Sequence, residues 1–343
     1  METNKHKYLK YQQKYLNNIQ FGGSLPIFVC SAQKYDTANQ IIETIRFAVS
    51  FEHGCLYNIY NSQECYLMYK KLAPNKIGLL HIDEFGKTVN KFLVLEDKSW
   101  YLMNNAHKEY KFDELMYNEI ENIHEYDIKD KKIIIFIRHG ETITNKCPLL
   151  LPLVHNSELT DNGYDQAKYL SKKLINFNKF LTQTNDPENV FYDYKKGIEI
   201  ALISPLQRTL LTAKPTLNLL PPIPIVSNFA ITEQVTYRSD TGYRNVDHFL
   251  KRCAQIIKKK IHVDKSEYAY FSNILWTQNR DPPMEDSIHV KSRCQIFDEY
   301  ATKATQKVIL VFSHYMFISE YFRTFCGFDV QPHNTGILMI THK

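Results

Sequence analysis

The chain reads as an α/β protein: a three-layer α/β/α sandwich with a mostly parallel central sheet over residues 131–343, preceded by a smaller α/β region. Two observations predict it. IIIFI (133–137), ALIS (201–204) and VILVFS (308–313) are continuous apolar runs of the kind found in strands covered on both faces. Each run is followed by a segment able to start a helix, and strands alternating with helices build a parallel sheet.

Taken in order, residues 1–23 form a basic leader carrying Lys5, Lys7, Lys10 and Lys14 and ending at Gly22-Gly23. It is expected to be flexible, with a short amphipathic helix through Leu9 and Leu16 as the alternative. Residues 24–128 are expected to be an α/β region of unknown role. PIFVC (26–30), IGLLHI (77–82) and FLVLED (92–97) are its strands, and Ala38, Ile41, Ile42, Ile45 and Ala48 repeat at helical spacing. DIKDKK (127–132) reads as a charged linker. Beyond it, Thr160 is expected to cap a helix with Ala167, Leu170 and Leu174 inward. Ser204 should cap a second, with Pro205 at its first position. Pro215 should kink or end that helix. A third, after His314, should end at Gly327.

Bulk properties narrow the class. Apolar residues are 44% and charged residues 23%, the balance of a globular protein, and no run is long enough to span a bilayer. The amino terminus lacks the apolar core of a secretory signal, so an intracellular, cytoplasmic protein is expected. Seven scattered cysteines without a C-x-x-C pair suit reduced thiols better than disulfides or zinc. The formal charge of +5 is not gathered into a basic stripe, so neither nucleic acid nor membrane is an expected partner.

In open parallel sheets, ligands gather beyond the carboxyl ends of the strands. The first strand delivers Arg138-His139-Gly140-Glu141-Thr142, with Asn145 beyond. The second delivers Ser204 and Arg208, and the third Ser313-His314. Two guanidiniums, two imidazoles and several hydroxyl or amide donors make an oxyanion pocket suited to a phosphoryl group. A neutral imidazole can attack phosphorus, and Gly140 would let backbone approach the anion.

RHGETITN, LTDNGYDQA, SPLQRTLLTA and VFSHY, in that order, resemble the histidine phosphatase superfamily, which includes cofactor-dependent phosphoglycerate mutases. The resemblance covers roughly residues 131–343. It implies a phosphoglycerate mutase-like sandwich and a phosphohistidine formed on His139. It makes Arg138, Arg208 and His314 the rest of the phosphate pocket, supported by Asn145, Thr142 and Ser204. Glu233, in ITEQVTYRSDTG (231–242), matches the acid that protonates the leaving group, with Asp240 as its alternative. Asn334 matches a polar position before the last strand. Tyr315 stands where family members usually have glycine, and Asn156 where aspartate is common. Segment 243–290, with Trp276 and Asp281-Pro282-Pro283, is expected to wall the substrate pocket.

The implied activity is hydrolysis of a small phosphorylated metabolite or a phosphoprotein, with no cofactor and no metal. A mutase is the first alternative, because it would use the same phosphohistidine. A non-catalytic phosphate-binding module is the second. The leader resembles one found on predicted proteins of giant DNA viruses, which implies a virus-infected host cell.

Overall fold

The computed structural model describes residues 28–112, 127–263, 285 and 287–343, except 39, 51, 60, 62, 63, 152, 187, 237–239, 241 and 243–245. The leader, Trp276 and the Asp281-Pro282-Pro283 turn lie outside the described residues.

The first region is not α/β. Its described residues form a closed barrel of eight antiparallel strands: β1 (Phe28–Tyr35), β2 (Ile41–Ser50), β3 (Cys55–Asn58), β4 (Cys65–Ala73), β5 (Lys76–Ile82), β6 (Thr88–Glu96), β7 (Ser99–Asn104) and β8 (His107–Phe112). Successive strands pair with one another, and β8 returns to β1. The expected helix around 38–48 is strand β2. Its Ile41, Ile42, Thr44, Ile45 and Val49 are β-branched, and their restricted χ1 favours a pleated strand. Ile41 and Ile42 are exposed, so the apparent helical stripe was never one buried face. Phe47 meets Tyr66, Tyr110 and Phe112, with ring centroids 5.1 to 6.3 Å apart.

The remainder is a mixed α/β unit on a six-stranded sheet. Its strands are β9 (Lys132–Arg138), β10 (Ile200–Ile203), β11 (Ile225–Ser227), β12 (His262–Val263), β13 (Val308–Ser313) and β14 (Ile337–His342). The order is β12-β11-β10-β13-β9-β14, parallel except for β14, which runs antiparallel to β9. β10 and β13 are buried at every position and β9 at all but its two end residues. Alternate residues face opposite sides, so both faces of this central trio are covered. The three central strands are also neighbours in register: Ile203 lies opposite Phe312, and Ser313 opposite Arg138. Their carboxyl ends therefore open at one edge.

Helices follow as expected in outline. Short α1 (Ile143–Lys146) comes directly after β9, and α2 (Asp161–Thr182) is capped by Thr160, whose hydroxyl accepts from the Gly163 N–H. Helix α3 (Gln207–Leu219) starts later than expected, with Leu206 rather than Ser204 at its N-cap, and runs through Pro215 to Leu219. α4 spans Val246–Ile257 and α5 spans Ser287–Lys303. α6 (Tyr315–Tyr321) continues into a π turn and stops at Gly327, whose φ of 73° is the left-handed cap.

The charged stretch 127–132 is not a free linker. Ile128 is fully buried, its N–H donates to Tyr69, and its carbonyl accepts from the Tyr194 hydroxyl. The barrel also covers β14, the edge of the sheet. The Thr341 N–H donates to the His53 carbonyl at 2.8 Å, and the Met339 N–H donates to the Cys65 sulfur at 3.4 Å. Tyr57 stacks on Phe328.

Candidate active site

The turn after β9 is built by close backbone contact. A Cβ on Gly140 would lie 2.7 Å from the Gly163 carbonyl oxygen, and one on Gly163 only 2.1 Å from the Glu141 oxygen. Glycine at 140 is thus required by the start of α2, whatever it offers to an anion. The Gly140 N–H donates to the Thr212 hydroxyl on α3 at 2.9 Å, and that hydroxyl donates on to the Arg208 carbonyl. Two segments at the strand ends, 138–142 and 207–212, are locked together by one side chain.

His139 is 3% exposed. Its Nδ1 lies 2.7 Å from the Gly140 carbonyl, which can only accept, so Nδ1 carries the ring proton. The neutral ring then has its lone pair at Nε2. Burial, followed by the Arg208 and Arg138 guanidiniums, holds this imidazole well below the ordinary histidine range. His314, fully buried, is held low by burial and by Arg208. The two rings lie 5.1 Å apart between centroids.

Arg208 donates from Nε to His314 Nδ1 at 3.2 Å. Nδ1 of His314 is therefore an acceptor, and its protonated Nε2 meets the Ser204 hydroxyl at 2.7 Å. Both nitrogens of His314 are engaged, so it orients the guanidinium here instead of pointing a donor at an anion. Ser204, expected to cap a helix and touch phosphate, is fully buried behind this histidine. Its loss as a cap has that reason, and Asn156 takes part of the role: its Oδ1 accepts from the Gln207 N–H at 2.8 Å.

Arg138 donates from Nη1 to the Pro332 carbonyl, and its guanidinium carbon lies 5.4 Å from the centre of the Tyr315 ring. Its Nε is buried without a hydrogen-bond partner among the described residues. Tyr315 thus supplies a cation–π face where glycine could not. Thr142 caps α1 and accepts from the Asn145 N–H, while Asn145 Oδ1 accepts from the Thr142 N–H. Asn334 donates to the His139 carbonyl at 2.9 Å, and the Thr335 N–H donates to the Arg138 carbonyl.

Glu233 closes the far side. Its Oε1 accepts from the N–H groups of Met316 and Gln234, both at 3.0 Å, and its Oε2 has no hydrogen-bond partner among the described residues. Burial and the nearby Asp240 raise its pKa, against the pull of Arg208 and Arg138. Two donors on Oε1 demand lone pairs there, so whenever this carboxyl carries a proton, Oε2 is the oxygen that bears it. Asp240, the alternative acid, instead pairs with Arg208 at 3.2 Å.

One cleft is lined by Arg138, His139, Thr142, Asn145, Arg208 and Glu233, together with Leu151, Met316 and Asp240. His314 and Ser204 stand behind it. Sequence reasoning missed Thr212 and Arg293. Arg293 on α5 is 3% exposed, pairs with Glu285, and donates to the carbonyls of Ala230, Thr232 and Glu233. It sets the backbone carrying Glu233, and nothing in its local pattern distinguishes it from a surface arginine.

Ligand atoms of His139, Glu233 and His314 lie within 4.8 Å of one another, near enough for a metal ion. Two guanidiniums face the same space, and like charge opposes a dication there. The arrangement is better matched to an anion. No helix of the described residues is long and apolar enough to cross a membrane.

No protein-family model matches the chain, and no curated protein matches it. Several solved structures do, at low identity. They include a phosphoglycerate mutase from Bacillus anthracis, with TM-score 0.37 and 15% identity over 63% of this chain and 90% of that one. A phosphoserine phosphatase from Entamoeba histolytica gives 0.35 and 18%, over 61% and 89%. A mycobacterial glucosyl-3-phosphoglycerate phosphatase gives 0.34 and 12%, over 61% and 92%.

Proposed function

We propose that this protein hydrolyses phosphomonoesters through a phosphohistidine on His139. The observation carrying this reading is the orientation of His139: its Nδ1–H is tied to the Gly140 carbonyl, in a cleft lined by two arginines and a carboxyl group. That tie leaves Nε2 with its lone pair, in a ring kept neutral by burial and by cations.

Nε2 attacks phosphorus in line, and the bond to the leaving oxygen breaks. Arg138 and Arg208, which both line the cleft, neutralise the equatorial oxygens. Asn145 and Thr142 supply further polar contacts at the same mouth. Glu233 passes its Oε2 proton to the departing alkoxide. In the second step it takes a proton from water as that water attacks phosphorus. The P–N bond then breaks, releasing inorganic phosphate and neutral His139. His314 and Ser204 act through Arg208, as positioning residues.

The test is chemical. Incubation with a phosphomonoester should release inorganic phosphate and yield an acid-labile phosphate on His139, seen by mass spectrometry after rapid quench. His139→Ala should show neither. Dependence of turnover on a bisphosphorylated primer would assign a mutase instead. Phosphate binding without turnover on any ester would assign a binding module.

A further inference from the structure

We infer that the protein binds a small organic acid at a second site, where the barrel meets α2 and the segment leading into β14, and that occupancy there is felt at His139. A cavity of about 80 Å³ lies at that junction. It holds several times the roughly 10 to 15 Å³ that one water needs. Its floor is apolar and buried: Cys65 and Ile82 from the barrel, Leu170 from α2 and Met339 from β14. Its mouth carries Tyr169, Lys173 and His333. An apolar lining with a few polar groups, at the meeting of two folded units, is the usual make-up of a small-molecule pocket.

The polar groups select the ligand. Lys173 is the one cation lining the cavity among the described residues, and its ammonium lies 5.0 Å from the centre of the Tyr169 ring. Burial lowers its pKa against the pull of Asp83 and Glu84, and neither acid forms an ion pair with it among the described residues. His333 is pushed below the ordinary histidine range by burial and Arg138, so it is neutral near physiological pH. A single carboxylate would complete Lys173. A phosphate dianion is better served by two cations, as Arg138 and Arg208 provide in the other cleft. The buried floor suits a short alkyl body, which gains by leaving water.

The back wall ties this cavity to His139. Asn334 and Thr335 line it, and they also hold the catalytic turn: Asn334 Nδ2 donates to the His139 carbonyl at 2.9 Å, and the Thr335 N–H to the Arg138 carbonyl at 3.0 Å. Thr335 has a φ of 56°, a left-handed conformation that a β-branched residue rarely adopts. Strained residues of this kind cluster at ligand clamps and switch regions. A ligand packed against the wall favours the arrangement in which both carbonyls are held.

Calorimetry on the full chain tests this, with 3-methylbutanoate as the probe and a Kd of about 1 mM or tighter expected. 3-Methylbutanamide, the same shape without the charge, should bind about tenfold more weakly. Lys173→Met, which keeps the apolar stem, should erase that difference. The bound acid should tighten orthophosphate by about fivefold or more, and orthophosphate the acid by the same factor. No binding of the acid, or equal binding of acid and amide to wild type, overturns the site. So does an acid that Lys173→Met binds as well and orthophosphate displaces, which would put it in the cleft at His139. An acid that binds and leaves orthophosphate affinity unmoved overturns the coupling. Hydrogen exchange at the His139 and Gly140 amides should also slow with the acid bound. That readout decides the coupling even where orthophosphate fails to bind, a failure that would count against the phosphoryl pocket alone.

Discussion

Thr212 and Thr216 sit one turn apart on α3, both fully buried, and their hydroxyls differ in one respect. Thr212 Oγ1 accepts from the Gly140 N–H at 2.9 Å and donates to the Arg208 carbonyl at 2.7 Å. Thr216 Oγ1 has no partner among the described residues. Valine has nearly the same shape, so Thr→Val at each position isolates the hydroxyl. At 212 the change strands a buried backbone donor, for which the desolvation penalty is about 1 to 3 kcal/mol. We expect about 2 kcal/mol lost from unfolding. At 216 the change removes a buried polar atom that bonds nothing, so the expected effect is about zero or slightly stabilising. Urea unfolding, with unchanged slope in both variants, measures the difference. The Gly140 carbonyl also holds the Nδ1–H of His139, so Thr212→Val should lower turnover, while Thr216→Val should not. Equal unfolding midpoints for the two variants would refute the account of the turn.

Three other outcomes follow from the geometry. Glu233→Gln should slow hydrolysis of alkyl phosphates by about a hundredfold or more and affect p-nitrophenyl phosphate far less, because nitrophenolate leaves without a proton; equal losses on both esters in steady-state rates would remove Glu233 from the acid role. His139 and His314 are held well below the ordinary value of 6.5, so between that value and their folded pKa the unfolded chain binds protons the folded chain does not. Stability should accordingly be fully present above about pH 6.5 and fall as pH drops below it, by roughly 1.4 kcal/mol per unit for each histidine; His139→Gln should shallow that slope in urea titrations. Finally, Gly163→Ala puts a Cβ 2.1 Å from a backbone oxygen that cannot yield, and should cost more stability than an ordinary buried Gly→Ala change and displace the 139–141 turn, visible as lost phosphate affinity.

The sheet edge that carries the candidate site was largely legible because parallel strands announce themselves locally. The runs at 133–137, 201–203 and 308–312 are apolar at every residue, and residues of the candidate site follow directly after them. The barrel was not legible for the opposite reason. Its order comes from pairing between antiparallel neighbours, and Ile41, Ile42 and Ile45 satisfy helical spacing by chance while two of them face solvent. Ser204-Pro205 has the form of a helix start, yet the hydroxyl is claimed by His314, a partner 110 residues away. Asp240 beside Arg208, and Arg293 behind Glu233, are likewise tertiary pairings with no local trace.

The contact of β14 with the barrel has a practical consequence. Along the outer margin of that strand, the amides of Met339 and Thr341 are answered by Cys65 and His53, and a protein cut before residue 127 would present them to water. An open margin of that kind templates pairing with other chains. Shortened versions kept for ease of handling should clump, and studies of turnover are best begun on the whole polypeptide.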